Sequence, residues 1–110
     1  MKLSEKQRSF TLMVADLICW SYDKGIELTF GEAWRTKEQQ ELYLKSGKSK
    51  TLNSKHLNRL AVDLNVFIKG EYRTDKPSYE AMGTYWKSLN TENRWGGDWG
   101  WDANHFEYGG

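Results

Sequence analysis

The chain has 110 residues, one Pro and one Cys, with 38% hydrophobic and 28% charged residues and a net charge of +1. These values fit one small globular domain with one modest core; they exclude an intramolecular disulfide and argue against a disordered chain or a dedicated nucleic-acid binder. Aromatics make up 15%, with six Trp, enough to help a short chain build a core and to line a groove.

The opening "MKLSEKQRSF" has charge but no apolar core, so it does not read as a secretory signal. No run reaches the ~18–20 apolar residues of a membrane-crossing helix. The expectation is a protein made in the cytoplasm, without membrane insertion, that reaches any target beyond the membrane only when another factor releases it. Ser4 to Gln7 fits a capping box, and Phe10, Met13, Val14, Leu17 and Ile18 then recur at helical spacing up to a stop at Gly25. Cys19 lies in this run and reads as a small buried hydrophobe.

"IELTFGEAW" alternates, with Ile26, Leu28 and Phe30 on one face, as a half-buried strand does, and Arg35 follows its end. Thr36 to Gln39 is a second capping box, opening a short helix that Gly47 closes. Lys48 to Lys55 reads as a polar loop. Between Glu41 and Asp63 stand five cations (Lys45, Lys48, Lys50, Lys55, Arg59) and no acid. Such a stretch is either a solvated loop or an attractor for an anionic partner.

"AVDLNVFI" alternates again: Val62, Leu64, Val66 and Ile68 form an apolar face, and Asp63 lies on the other. The chain turns at Gly70, and "PSYEAMGTYWKSLN" reads as a helix with Pro77 in its first turn. The tail "RWGGDWGWDANHFEYGG" reads as a loop followed by a short strand from His105 to Tyr108. Without repeats or linkers, residues 1–110 are expected to form a single domain. Its fold class is α+β, a small mostly antiparallel sheet flanked by helices.

The residues suited to chemistry are few. Both histidines stand near acids, His56 ahead of Asp63 and His105 between Asp102 and Glu107. Two imidazoles and a carboxylate are a standard ligand set for catalytic zinc, with a further carboxylate as base. Each residue also has an ordinary use: a satisfied histidine, an ion-paired Asp, a turn Asp, a solvated Arg. No helical H-E-x-x-H spacing is present.

Four stretches, in order, carry a resemblance. "SKHLNRLAVDL" resembles the S-x-H-x-x-G-x-A-x-D-L motif of the D-alanyl-D-alanine carboxypeptidase family of zinc peptidases. "WRTKEQQELY" resembles the family's upstream R-[ST]-x-x-x-Q segment, and "WDANHFEY" its second motif. "RWGGDW" is similar to a stretch of the phage endolysin branch, which includes L-alanyl-D-glutamate endopeptidases. The resemblance spans about three quarters of the chain, roughly Thr29 to Tyr108.

The resemblance implies a hedgehog/D-Ala-D-Ala-peptidase-like fold and a Zn2+ ion held by His56, Asp63 and His105. It implies Asp102 as general base, Arg35 on the substrate backbone or the developing oxyanion, and Ser54 as a support. The implied substrate is the peptidoglycan stem peptide, cut at the L-Ala–D-Glu bond by a monomeric enzyme released through a holin. A D-Ala-D-Ala carboxypeptidase or dipeptidase, and a non-catalytic wall-binding domain, are the alternatives. Arg59 stands where the family usually has Gly, which argues that this position has no strict need for positive φ.

Overall fold

The computed structural model describes residues 1–49 and 54–110. The elements are helix α1 (Leu3–Asp23), strand β1 (Ile26–Phe30), helix α2 (Lys37–Lys45), a 3-10 turn (Lys55–Asn58), strands β2 (Ala61–Ile68) and β3 (Glu71–Arg73), helix α3 (Lys76–Leu89), strand β4 (Asn93–Trp95), a second 3-10 turn (Gly96–Trp99) and strand β5 (His105–Tyr108). The sheet runs β1-β2-β5-β4, with β3 also on β2, and every pairing is antiparallel. The chain is α+β as its pattern predicts.

The long strand β2 is the spine. Its alternation puts Val62, Leu64 and Val66 into the core with Phe106 and Tyr108 of β5, Phe10 and Leu17 of α1, and Tyr79, Met82 and Trp86 of α3. Trp86 ties the layers together: its Nε1–H is shared by the Arg94 and Glu107 carbonyls, both at 3.0 Å. Because strand side chains alternate, filling one face with core turns Asp63, His105 and Glu107 to the other. The two helices α1 and α3 thus fix the sheet, and its opposite face is left for polar groups.

Several expectations are corrected. α1 begins before Ser4: Lys2 is its N-cap residue, and the Glu5 carboxylate accepts the Lys2 backbone N–H at 3.2 Å. Cys19 is exposed, because α1 buries only the stripe through Phe10, Leu17 and Ser21. Phe30 at the end of β1 is exposed too. The tail holds a strand, β4, that its Trp/Gly composition hid. Lys50, one of the cations of the basic stretch, lies outside the described residues.

Candidate metal centre

The β2–β5 register sets Asp63 directly opposite His105. The Asp63 Oδ1 lies 3.3 Å from His105 Nδ1 and 3.3 Å from His56 Nε2. One donor atom from each of the three residues falls within 4.8 Å of the others. A tetrahedral ion with bonds of about 2.0–2.1 Å has ligand–ligand edges of about 3.3–3.4 Å, so the two edges from Asp63 match zinc spacing and the donor set fits its chemistry.

His56 reaches the cluster from the first 3-10 turn. Ser54 caps that turn, its Oγ accepting the His56 backbone N–H at 3.2 Å. Arg59 closes it in the left-handed region, with φ 56 and ψ 37. The Leu60 N–H then reaches back to the Lys55 carbonyl at 3.0 Å. The expectation that a non-Gly residue signals ordinary backbone here is therefore overturned: the turn demands positive φ, and Arg59 adopts it at a cost of about 1–2 kcal/mol. Its guanidinium lies 4.8 Å from the Trp34 ring centroid, a cation–π contact that offsets part of that cost. Arg59 accordingly faces Trp34 and is not among the residues lining the cleft.

His105 is held from behind. Its Nε2 lies 2.7 Å from Glu107 Oε1, and the other Glu107 oxygen accepts from Arg94 Nε at 2.8 Å. Proton donation from Nε2 to Glu107 leaves Nδ1 as the nitrogen facing Asp63. His56 has no such support: its Nδ1 is buried without a hydrogen-bond partner among the described residues. Burial works against both charges, yet the hydrogen bonds to His105 and His56 hold the Asp63 carboxyl down at about 2, and those to Asp63 and Glu107 lift His105 to about 9.

Asp102 stands beside the cluster, its Oδ2 3.7 Å from His105 Nδ1. Burial pushes its carboxyl above the usual range, with His105 opposing and Asp63 reinforcing. The approach depends on Gly96, where a Cβ would lie 2.1 Å from the Asp102 carbonyl oxygen and 2.9 Å from His105 Cβ. The glycine pair of "RWGGDW" is thus explained by packing: Gly97 meets the Trp95 ring just as closely.

Arg35 lies at the same cleft, anchored through its backbone N–H to the His56 carbonyl at 3.3 Å. Its guanidinium pairs with Glu32, donates to Gln40 Oε1 at 2.6 Å and sits 4.7 Å from the Tyr43 ring centroid. Tyr43 donates to the second Glu32 oxygen at 3.0 Å. Sequence reasoning missed Glu32, Gln40 and Tyr43 as partners of Arg35. The spacing of Gln40 and Tyr43 along α2 was the available signal, since i and i+3 share a helix face.

The cleft has a volume of about 620 Å³. Trp99 and Trp101 line it half-exposed, and the Trp99 ring lies 5.2 Å from that of His105. Trp95 is buried in the core instead. Of the basic stretch, Lys48 and Lys55 line the cleft, whereas Lys45 and Arg59 do not.

Two imidazoles and a carboxylate converging beside a second carboxylate in an open cleft are a donor set that could hold one metal ion of the hydrolytic type. The chain belongs to the D-alanyl-D-alanine carboxypeptidase family, whose pattern matches residues 47–108. It is 43% identical over 89 residues to the L-alanyl-D-glutamate peptidase of Listeria phage A118, covering 76% of this chain and 30% of that relative. The chain therefore spans about a third of the relative's length. Among solved structures, the L-Ala D-Glu endopeptidase ChiX of Serratia marcescens superposes with a TM-score of 0.72 at 23% identity, over 96% of this chain and 84% of that one. The vancomycin-resistance D,D-pentapeptidase VanY, solved with Zn(II), gives 0.60 at 19% identity, over 92% and 71%. No helix among the described residues is long and apolar enough to cross a membrane.

Proposed function

We propose that this chain is a zinc-dependent peptidoglycan peptidase that hydrolyses the L-Ala–D-Glu bond of the stem peptide, residues 1–110 forming one catalytic domain. The observation that carries the reading is the convergence of His56, Asp63 and His105 with Asp102 at 3.7 Å, inside a cleft. The phage relative's named activity supports the choice of bond.

His56, Asp63 and His105 hold the ion, which when bound acidifies a water and polarises the scissile carbonyl. Asp102 accepts the proton of the attacking water and returns it to the leaving amine; its raised affinity for protons suits both steps. Arg35, with Nε, Nη1 and one Nη2 proton engaged by Glu32, Gln40 and Ser54, directs its other Nη2–H at the substrate backbone or the developing oxyanion, and such a contact contributes about 2.7–4 kcal/mol to the transition state. Glu32 offsets the Arg35 charge, so Arg35 is a poor reader of a free C-terminal carboxylate. That favours an endopeptidase over a D-Ala-D-Ala carboxypeptidase. A holin-assisted route to the wall and a monomeric state belong to the same proposal.

Digestion of purified peptidoglycan with zinc-loaded protein, followed by mass spectrometry, tests the reading. New L-Ala carboxyl and D-Glu amino termini are expected. Loss of terminal D-Ala without them would replace it with the carboxypeptidase reading, and intact peptidoglycan would refute both.

A further inference from the structure

Resting on the peptidase reading above, the question is what recognises the residue after the cut. A D-Glu residue inside a peptide uses one carboxyl to continue the chain. Its other carboxyl stays ionised near neutral pH, whichever one is used. The leaving fragment therefore brings a negative charge to a cleft that already holds Asp63 and Asp102. That charge needs a cation that nothing else claims.

Among the described residues four basic side chains line the cleft: Arg35, Lys48, Lys55 and Arg94. Two are committed, Arg35 to Glu32 and Arg94 to Glu107. The other two have no carboxylate partner among the described residues. Lys48 is exposed, with its ammonium 5.9 Å from the Tyr43 ring centroid. Lys55 is half-buried. A half-buried lysine keeps its stem on the cleft wall and its charged end toward the open space, where it can meet an incoming carboxylate.

Lys55 also has a fixed relation to the reaction centre. It precedes His56 in the same 3-10 turn, capped by Ser54 and closed by Arg59. A substrate anchored on Lys55 is thereby held in register with the metal ligand. Four acidic side chains (Glu32, Asp63, Asp102, Glu107) also line the cleft, so a bound divalent ion tips its charge to net positive and further favours an anionic ligand.

We propose that Lys55, assisted by Lys48, is the specificity-determining anchor for the free carboxylate of the D-Glu residue. The test compares two synthetic stem peptides that differ only in having that carboxylate as the acid or as its primary amide. Wild-type protein is expected to prefer the acid by about tenfold or more in kcat/KM, the effect carried by KM. In the K48Q/K55Q double variant the ratio should fall close to one, and Lys55→Arg should retain most of it. Zinc content is measured for each variant. An unchanged ratio in K48Q/K55Q, equal use of both peptides by wild type, or a collapse accompanied by zinc loss overturns the anchor. If zinc-loaded wild type cleaves neither peptide, the peptidase reading itself falls and takes the anchor with it.

Discussion

Glu107 accepts a hydrogen bond from His105 at 2.7 Å, from two positions along the same face of one strand. That spacing places the carboxylate where it selects the His105 tautomer, and Arg94 fixes the carboxylate in turn. Glu107→Ala should weaken zinc binding by roughly 10–100-fold, the range typical of such outer partners. A zinc titration against a chelating dye reads the change. Affinity equal to wild type would remove Glu107 from the site.

His56→Ala and Asp102→Ala should separate binding from chemistry. In the proposed site His56 is one of three donors, so its loss should leave substoichiometric zinc by elemental analysis. Asp102 sits beside the donors without completing them, so Asp102→Ala should keep its zinc while hydrolysis falls by roughly 10²–10⁴-fold. Undiminished hydrolysis in that variant would show that another group takes the proton.

The metal-free site makes a defined pH prediction. His105 is raised from 6.5 to about 9, so its contribution to stability is complete below pH 6.5 and lost as pH rises through about 9. Asp63 is lowered from 3.8 to about 2, so its contribution is present above pH 3.8 and lost as pH falls through about 2. In excess chelator, Tm should therefore peak between these limits and decline on either side. Zinc should flatten the alkaline decline, because coordination at the proposed site would remove the proton that His105 otherwise gives up. Thermal scans from pH 3 to 10, with and without zinc, check both.

Arg59→Gly removes the left-handed strain of about 1–2 kcal/mol but adds unfolded-chain entropy and loses the Trp34 contact. The net change in stability should stay within about 1 kcal/mol. Arg59→Val, which is β-branched at positive φ, should lose more than about 1 kcal/mol and weaken zinc binding, because the turn carrying His56 opens. Equal stability of the two variants by denaturant melts would contradict this account of the turn.

Gly96→Ala should be among the most damaging small substitutions. Its added methyl meets backbone at Asp102 and Cβ at His105, neither of which is the far end of a flexible side chain. Zinc affinity and hydrolysis should both fall, with a drop in Tm of several degrees.

By itself the sequence determined what short-range rules control. The two-residue alternation in "AVDLNVFI" and "HFEY" assigned β2 and β5 and turned Asp63 and His105 off the core face. Thr36 capped α2 as expected, its Oγ1 accepting the Gln39 N–H at 3.0 Å. The motif residues were likewise legible, since they stand in family order along the chain. Tertiary structure decided what depends on partners far apart in sequence. Cys19 and Phe30 have apolar chemistry but fall outside the stripes that α1 and β1 bury, a choice set by docking geometry rather than by residue type. Strand β4 exists because β5 pairs with it, not because Asn93 to Trp95 favours a strand. Glu32 gained its role only when the chain from β1 folded across β2, where its carbonyl accepts the Asp63 N–H at 2.7 Å. Arg59 shows the same limit: its side chain suggested ordinary backbone, and a turn closing around His56 imposed the left-handed one.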